Sequence, residues 1–385
     1  MEKKIRLAVI GATGSVGGAV LDVCSRFPEI FEVTALAARR SAKKLTELGR
    51  RHGAKLLCLT EPCAGWQEDG FECLTGTKAL SEIAEDDRVD HAVFASSGVA
   101  AIEALQKALT RGIDVSLANK ESIVVAGPWV MPLVKRADQL RPVDSEHSAL
   151  WQCLRDAPKN ELSRVWLTAS GGPFRDYGAE EMERVTPEAA LKHPVWKMGP
   201  KITVDSATLM NKGIECIEAM QLFDLPAEKV GALIHPRSQV HGMVEFIDGT
   251  VKLLLSQADM RLPAAAAIAW PKRLPLAENG LPPIEPAGWE LDFREIDEKL
   301  FPCFALAREA GRLGGAYPAL LVGADESAVK HFLGHEISYR AIAEVISEVL
   351  GRYGGNPPKT LEEAVALVEE GEKTADKICR DRRNR

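Results

Sequence analysis

The sequence contains no uninterrupted apolar run near the roughly 18 residues that a membrane-spanning helix needs. Its first residues, Met1-Glu2-Lys3-Lys4, lead directly into a strand-like segment and not into a targeting peptide. The eight cysteines are scattered without a Cys-x-x-Cys pair, which argues against a zinc site or a disulfide framework and favours reduced thiols. We therefore expect a soluble cytoplasmic protein without a membrane partner.

The sequence also lacks an excess of positive charge. Its formal net charge is -7 and its pI is about 5.8. No global attraction to nucleic acid or to an anionic membrane surface is expected from such a balance. An anionic small-molecule substrate must therefore be captured by a local cluster of donors.

The chain has 385 residues, of which 46% are hydrophobic, so two or three domains are expected. Over residues 5–118, short apolar runs alternate with amphipathic stretches, which is typical of strand-helix units in a parallel sheet. The predicted strands are Ile5–Ile10, Phe31–Ala38, Lys55–Leu59, His91–Ala95 and Val115–Ala118. The fold class indicated for this part of the chain is α/β.

The pattern changes twice in the rest of the chain. Strand-like runs such as Val165–Ala169 and Val251–Leu255, among loops with Gly and Pro, indicate an α+β region. A cluster of prolines then suits a linker, and helical spacing near the C-terminus predicts a helical bundle. Thr360 and Glu363 form the pattern of a capping box for one of its helices. The predicted domains are 1–145, 146–275 and 301–385, with a linker at 276–300.

A glycine-rich turn follows the first predicted strand. The run Gly11-Ala12-Thr13-Gly14-Ser15-Val16-Gly17 leads into apolar residues at helical spacing. A strand, a glycine turn and a helix place a pyrophosphate on free amide groups, because glycine lets the phosphates reach the backbone. Such turns also serve only to pack a helix on a sheet, so the motif alone leaves both interpretations open.

Basic residues end the second predicted strand. Arg39-Arg40-Ser41 stands where an NAD-binding protein usually has an acid that accepts from the ribose hydroxyls, whereas arginines pair with a 2′-phosphate. The alternative is a solvated basic turn. Together with the glycine turn, the pattern favours a Rossmann-type domain that binds NADPH.

Two acids follow the apolar pair Pro142-Val143. If Asp144-Ser145-Glu146 is extended, both carboxylates lie on one side, because side chains alternate along a strand. Carboxylates without cysteine or clustered histidine favour Mg²⁺ or Mn²⁺ over zinc. Acidic pairs on solvated turns are nevertheless commoner than metal sites.

A third acid lies in the run Asp205–Glu215. Asp205 or Ser206 is a candidate N-cap of a helix. On that helix Asn211, Lys212 and Glu215 share one face, so an amide, an ammonium and a carboxylate would converge. A capped surface helix with an internal Lys-Glu ion pair explains the same pattern.

Three further segments carry groups that suit a phosphate. Ser170 precedes Gly171-Gly172, which offers open backbone amides. The run His193–Gly199 combines candidate phosphate donors with Trp196 and Met198, which would exclude water as a flap or else fill a core. Lys120 follows a predicted strand, and open α/β sheets bind ligands beyond the carboxyl ends of their strands.

These motifs occur together in one order, and in that order they resemble the 1-deoxy-D-xylulose 5-phosphate reductoisomerase family. The matching runs are Gly11–Gly17, Leu117–Ser122, Pro142–His147, Ser170–Phe174, His193–Gly199, Val204–Thr208, Asn211–Glu215 and Asp259–Arg261. Gly323-Ala324-Asp325-Glu326 departs from that family's usual Ala-Ala-Asn-Glu. The resemblance implies a homodimer with a C-terminal helical bundle and a mobile flap near 190–200.

The resemblance also implies three sets of site residues. Asp144, Glu146 and Glu215 would bind the metal. The substrate would contact Lys120, Ser145, Glu146, Ser170, His193, Trp196, Met198, Ser206, Asn211, Lys212 and Glu215. NADPH would contact Gly11, Thr13, Gly14, Ser15, Val16, Arg39, Arg40, Ser41, Asn119, Glu121 and Gly199. The candidate catalytic residues are Glu146, Lys212 and Lys120.

The activity implied is the rearrangement of 1-deoxy-D-xylulose 5-phosphate and its reduction by NADPH to 2-C-methyl-D-erythritol 4-phosphate, in the non-mevalonate route to isoprenoid precursors. A bound Mg²⁺ or Mn²⁺ would stabilise the charge that develops on the substrate oxygens. Two alternatives stay open. One is an NADP- and metal-dependent dehydrogenase of another phosphorylated hydroxy-ketone, and the other is a non-catalytic NADPH-sensing regulator.

Overall fold

The computed structural model describes residues 3–62, 64–155, 157–193, 195–196, 198–281 and 283–383. The chain divides into two compact units. The first consists of 1–122, 130–151 and 259–285, and the second of 123–129, 152–258 and 286–385. The domain bounds given above follow the chain in order, and they stay a prediction.

A parallel sheet forms the core of the first unit. Its strands are β1 (Ile5–Ile10), β2 (Phe31–Ala38), β3 (Leu56–Leu59), β4 (Glu72–Thr75), β5 (His91–Phe94), β6 (Asp114–Leu117) and β7 (Leu140–Pro142). They lie in the order β4-β3-β2-β1-β5-β6-β7, and all neighbours are parallel. This Rossmann-type order confirms the predicted α/β class.

Continuous apolar runs produce these strands, because helices cover both faces of a parallel sheet. Residues Leu7 to Ile10 of β1 are all at most 2% exposed. The helices of this unit are α1 (Ser15–Arg26), α2 (Ala42–His52), α3 (Ala79–Glu85), α4 (Ile102–Arg111) and, numbered along the chain, α12 (Arg261–Ala269). Ala264 and Ile268 of α12 are buried in the same core as Val20 of α1.

Three helices lie at or across the bounds of the units. They are α5 (Glu121–Val124), α6 (Gly127–Val130) and α7 (Ser145–Leu154). Short 3₁₀ turns occur at Met131–Leu133, Lys159–Glu161, Ala227–Lys229 and Leu276–Asn279.

A mixed sheet lies in the second unit. Its strands are β8 (Leu162–Ala169), β9 (Val230–Ile234), β10 (Val240–Phe246) and β11 (Val251–Leu255), in the order β11-β10-β8-β9. The helices are α8 (Ala179–Met182), α9 (Pro187–Ala190), α10 (Pro200–Ala207), α11 (Met210–Phe223), α13 (Pro302–Leu313), α14 (Tyr317–Leu333), α15 (Tyr339–Arg352) and α16 (Leu361–Arg383). The predicted α+β region and helical bundle are therefore confirmed.

Helices α14 and α16 pack at close range in the bundle. A Cβ added to Gly323 would lie 1.9 Å from the Val368 oxygen, and one added to Gly371 would lie 2.6 Å from the Leu320 oxygen. The Thr360 half of the predicted capping box of α16 is confirmed, since the Glu363 amide donates to Thr360 Oγ1 at 3.2 Å. The Glu363 carboxylate accepts from the Lys359 amide at 2.6 Å, one residue before the predicted partner.

The extended conformation considered for Asp144-Ser145-Glu146 does not occur, because Asp144 Oδ1 accepts from the amides of Glu146 (3.1 Å) and His147 (3.3 Å) and so caps α7. The predicted N-cap at Asp205 or Ser206 was wrong. Both residues lie inside α10, which has a proline at its first position after an extended Gly199. A separate helix, α11, carries Asn211, Lys212 and Glu215.

The described part of the chain includes no helix that has both the length and the apolarity needed to cross a membrane. The described cysteines, which are Cys24, Cys58, Cys73, Cys153, Cys216, Cys303 and Cys379, are free thiols.

The packing of α14 on α16 generates a stability prediction. Gly323→Ala should lower the free energy of unfolding by about 1–3 kcal/mol, because the added methyl group overpacks a helix contact. Urea unfolding followed by circular dichroism measures this change. Gly351→Ala is the control, since a Cβ at Gly351 of α15 has no neighbour within 4 Å in the described structure. This variant should be neutral or slightly more stable, and equal losses in both variants would contradict the packing argument.

Candidate active site

The glycine turn lies between β1 and α1, at the carboxyl edge of the parallel sheet. Gly11 has a φ of +92°, and a Cβ there would lie 2.4 Å from the Ala95 carbonyl carbon. Gly14 precedes α1 and Ser15 and Val16 begin it, and no side chain in the described residues caps this helix. The amides of the first turn are thus available to a pyrophosphate.

Arg39 and Arg40 follow β2 and both pair with Glu61. The Nε atom of each arginine lies 2.5 Å from the Glu61 carboxylate, and the arginine side chains are 70% and 69% exposed. These hydrogen bonds hold the pKa of Glu61 below its ordinary value. Sequence analysis missed Glu61, although it follows β3, the neighbour of β2. A 2′-phosphate would compete with Glu61 for both guanidinium groups.

Asn119 joins the ends of two strands. Its Nδ2 donates to the Ser96 oxygen at 2.7 Å and to the Gly98 oxygen at 2.8 Å, and its Oδ1 accepts from the Ser122 amide at 2.7 Å. The residue therefore fixes the loops after β5 and β6. A direct contact of Asn119, or of Glu121 at the start of α5, with NADPH stays a prediction.

The predicted metal-binding carboxylates of Asp144 and Glu146 follow β7. Asp144 Oδ1 is 2.9 Å from His147 Nδ1, and Asp144 Oδ2 forms an ion pair with Lys120. Both side chains of this ion pair are 13% exposed. Ser145 Oγ donates to Glu146 Oε2 at 2.9 Å. Lys120 and Asp144 meet because β6 and β7 are parallel neighbours that end at the same edge.

The second unit assembles a cluster of donors around His193. His193 Nε2 lies 3.2 Å from Ser170 Oγ and 3.0 Å from Ser206 Oγ. The Gly172 amide donates to Ser170 Oγ at 3.3 Å, and Arg175 donates to the Ser170 oxygen at 3.1 Å. A Cβ at Gly172 would lie 2.7 Å from the Ser206 oxygen, so glycine permits this close approach. Three predicted substrate residues are thus brought together.

Two amides fix the tautomer of His193. Nδ1 accepts from the amides of Val195 at 3.1 Å and Trp196 at 2.8 Å, so the neutral ring carries its proton on Nε2. Burial, assisted by the charge of Arg175, lowers the pKa of His193, and the ring therefore stays neutral at neutral pH. An N–H, two hydroxyls, an amide and a guanidinium form a donor set that suits a phosphate.

Asn211, Lys212 and Glu215 share one face of α11, as their spacing predicts. Asn211 Nδ2 donates to Glu215 Oε1 at 2.5 Å, and Lys212 forms an ion pair with Glu215 Oε2. Lys212 is 4% exposed and Glu215 is 1% exposed, so this is not the surface ion pair of the alternative interpretation. Buried charges of this kind cost stability and are typical of functional sites.

The predicted flap precedes α10. Trp196 and Met198 are half-buried, and Gly199 is the N-cap residue of α10. Pro194 and Lys197 lie outside the described residues. The role of this segment as a flap stays a prediction.

Sequence analysis also missed His147, Arg175 and Lys201. His147 lies three residues after Asp144, and Lys201 lies four residues before Asp205, with which it forms an ion pair at 2.6 Å. Both spacings are helical and were available in the sequence. Arg175 gave no such signal, because its contact depends on a turn through positive φ at Gly171 and Gly172.

Comparison with known families identifies the chain along most of its length. The model described as 1-deoxy-D-xylulose 5-phosphate reductoisomerase matches residues 7–127, and the model of its C-terminal domain matches 140–223. A model described as the DXP reductoisomerase C-terminal domain matches 255–374.

Curated relatives and solved structures agree with these matches. The 1-deoxy-D-xylulose 5-phosphate reductoisomerase of Thermoanaerobacter pseudethanolicus is 42% identical over 97% of this chain and 100% of its own. That of Chlorobaculum tepidum is 42% identical over 97% and 99%. The Zymomonas mobilis enzyme in complex with NADPH is 37% identical, with a TM-score of 0.89 over 98% and 99% of the two chains. A DOX-P reductoisomerase in complex with NADPH, fosmidomycin and magnesium is 33% identical, with a TM-score of 0.86 over 99% and 98%. The chain therefore belongs to the 1-deoxy-D-xylulose 5-phosphate reductoisomerase family.

Proposed function

We propose that this protein converts 1-deoxy-D-xylulose 5-phosphate into 2-C-methyl-D-erythritol 4-phosphate with NADPH and a divalent metal, in the non-mevalonate route to isoprenoid precursors. One observation carries the proposal. The donors around His193, the buried carboxylate of Glu215 and the carboxylates of Asp144 and Glu146 are all present in a chain that belongs to this family along nearly its full length.

Asp144, Glu146 and Glu215 would hold one Mg²⁺ or Mn²⁺. Their donor atoms are carboxylate oxygens, which hard cations prefer. His147 orients Asp144, and Asn211 orients Glu215, as partners of metal ligands do. When bound, the ion supplies a Lewis acid for the substrate's carbonyl and hydroxyl oxygens. A relative solved in complex with NADPH, fosmidomycin and magnesium supports the use of a divalent metal.

Two lysines would act on the charge that develops during the rearrangement. Lys212 is nearly fully buried beside Glu215, and Lys120 is held by Asp144. Each ammonium group is fixed before the substrate binds, so it stabilises negative charge on the substrate oxygens without reorganisation. Glu146 and Lys212 are the proposed proton-transfer groups. The Ser145 hydroxyl donates to Glu146 Oε2 at 2.9 Å and so orients this carboxylate for proton transfer.

Ser170, His193 and Ser206 would bind the phosphate of the substrate, while the glycine turn and Arg39 with Arg40 would bind the phosphates of NADPH. Lys44 Nζ donates to the Thr13 oxygen at 2.7 Å and so adds a positive charge near the turn. The substrate phosphate and the hydride donor are thus held by different segments of the chain, and neither needs a global positive charge.

A homodimer is the proposed assembly. Strand β11 lies at the edge of its sheet, and Ile247 and Val251, at or near its start, are 69% and 50% exposed. Apolar side chains on an open sheet edge favour association with a second copy. The proposed location is the cytoplasm, which suits the free thiols of the described cysteines.

The activity is tested by one assay. NADPH oxidation by the purified protein with 1-deoxy-D-xylulose 5-phosphate should require Mg²⁺ or Mn²⁺, because carboxylates alone cannot polarise the substrate oxygens. NMR of the product should show the branched methylerythritol phosphate. A metal-dependent oxidation that leaves the carbon skeleton unbranched would favour a simple dehydrogenase, and bound NADPH without turnover would favour the regulator.

Cofactor choice is tested by removing the two arginines. Arg39→Ala with Arg40→Ala should weaken NADPH binding on the order of tenfold, because the 2′-phosphate loses both charge-assisted partners at an exposed site. The KM for NADH should change little. Glu61→Gln is the matched control, and it should tighten NADPH binding, since it removes the carboxylate that competes for the arginines. Equal losses for NADPH and NADH would show that the arginines serve the fold instead.

Two substitutions of His193 test the donors around it. The side chain in His193→Asn keeps an acceptor near the position of Nδ1 but has no donor at the position of Nε2. The longer side chain in His193→Gln places an N–H near the position of Nε2. His193→Asn should therefore raise the KM for the sugar phosphate on the order of 10- to 100-fold. His193→Gln should raise it less, and kcat should change less than KM in both. Similar KM values for the two variants would rule out a phosphate contact through Nε2.

A further inference from the structure

Helix α10 carries an ion cluster that the proposed chemistry does not use. Lys201 in its first turn forms ion pairs with Asp205 one turn later, at 2.6 Å, and with Asp325 in the middle of α14. The Asp205 side chain is 6% exposed and that of Asp325 is fully buried, while Lys201 is 33% exposed. Asp325 therefore ties α10 to the helical bundle through a single ammonium group.

The cluster holds more negative than positive charge. It contains two carboxylates and one ammonium, and Glu326 contributes a further negative charge nearby. In the described structure, Oδ1 of Asp205 and Oδ1 of Asp325 are buried without a hydrogen-bond partner. A buried group with an unpaired negative charge is strongly destabilised, so such a cluster retains a proton instead.

The pKa directions agree with this geometry. Burial, together with the charge of Asp325, raises the pKa of Asp205 well above its ordinary value, although Lys201 opposes the shift. Burial also raises the pKa of the Cys303 thiol, which faces both carboxylates from α13. The protonated cluster is thus the form that the fold favours. Local stability around α10 falls as the pH rises through the raised pKa of Asp205.

A second contact holds the other end of α10. Tyr339 at the start of α15 donates its hydroxyl to the Ala207 oxygen at 2.7 Å. Burial raises the pKa of this hydroxyl, so it remains a donor at neutral pH. The helical bundle therefore contacts α10 near both of its ends. Ser206 directly follows Asp205 and lies between these two contacts. Its Oγ is 3.0 Å from His193 Nε2.

We propose that Asp325 is a positioning residue for substrate binding: it anchors Lys201 and Asp205, and through α10 it holds Ser206 beside His193. This inference rests on the proposed function, which places Ser206 and His193 at the substrate phosphate. Asp325 itself touches neither residue in the structure's hydrogen bonds or ion pairs, so its effect passes through the position of the helix.

Two substitutions of Asp325 separate its contact with Lys201 from its negative charge. Asp325→Asn keeps an oxygen that accepts from Lys201 and leaves the Asp205 carboxylate as the direct partner of this ammonium group. Asp325→Ala removes the anchor altogether. The KM for 1-deoxy-D-xylulose 5-phosphate and kcat are measured for the full-length enzyme, with NADPH and Mg²⁺, from weakly acidic to alkaline pH.

The expected results differ between the variants. The wild-type KM should rise as the pH passes the raised pKa of Asp205, because ionisation of the cluster leaves an unpaired charge that loosens α10. Asp325→Asn should keep the KM that the wild type shows below that pKa and lose the rise with pH. Asp325→Ala should raise KM on the order of tenfold at every pH, with a smaller change in kcat, since displacement of a binding group acts on the bound phosphate. Asp376→Asn is the control within the same bundle. Asp376 binds His331 at 2.9 Å and not α10, so this variant should keep the wild-type KM and pH profile.

Several outcomes overturn the proposal. It fails if folded Asp325→Ala keeps the wild-type KM, or if Asp325→Asn keeps the wild-type rise of KM with pH. If circular dichroism shows that Asp325→Ala does not fold, the pH dependence of KM for Asp325→Asn tests the proposal by itself. If the wild-type protein does not turn over the sugar phosphate, the proposed function fails, and calorimetric binding of inorganic phosphate to wild type and Asp325→Asn at neutral and alkaline pH decides the positioning role in its place.

Discussion

The first unit depends on one constraint of parallel sheets, which is that all strands end at the same edge. The glycine turn follows β1, the two arginines follow β2, Lys120 follows β6 and Asp144 follows β7. Each segment is unremarkable by itself, and a solvated basic turn or an acidic turn explains it equally well. The strand order places them on one edge, so groups that lie more than 100 residues apart in the chain meet there, where we propose that they bind NADPH and a metal.

The second unit depends on the position of one short helix. Helix α10 presents Ser206 to His193, and Gly172 approaches the Ser206 backbone where no larger residue fits. The same helix carries Lys201 and Asp205, which bind the helical bundle. A helix of eight residues is too short to be stable by itself, so its contacts with the bundle decide where its hydroxyl lies. The bundle thus has a part in the site although it supplies none of the predicted site residues.

The sequence predicted the strands of the first unit and the spacing on α11 because both follow from local periodicity. Apolar runs identify β1 and β2, and three- and four-residue spacing brings Asn211, Lys212 and Glu215 together whatever the rest of the fold does. Local predictions failed where a capping hydrogen bond or a proline set the backbone conformation. Asp144 caps α7, so a helix begins where an extended segment had been considered. Pro200 at the first position of α10 starts that helix before the predicted cap residues, Asp205 and Ser206.

Local sequence patterns could not predict ion pairs between distant segments of the chain. Glu61 pairs with two arginines only because β3 lies beside β2, and Asp325 reaches Lys201 across 124 residues. Asp325 departs from a family pattern in the sequence, but its role could be inferred only from the buried residues around it. Pattern alone indicates which chemistry is available, and the tertiary structure decides which charges meet.

The two ion clusters differ in exposure, and this difference suits the tasks that we propose for them. Arg39 and Arg40 are about 70% exposed, so their bonds with Glu61 are screened by solvent and break at small cost. NADPH must bind and leave in every turnover, and such groups can change partners without leaving a buried charge. The carboxylates beside Lys201 are almost fully buried, so breaking their contact strands a charge away from water. A cluster of that kind holds a helix in one place, as the proposed contact between the Ser206 hydroxyl and the substrate phosphate requires.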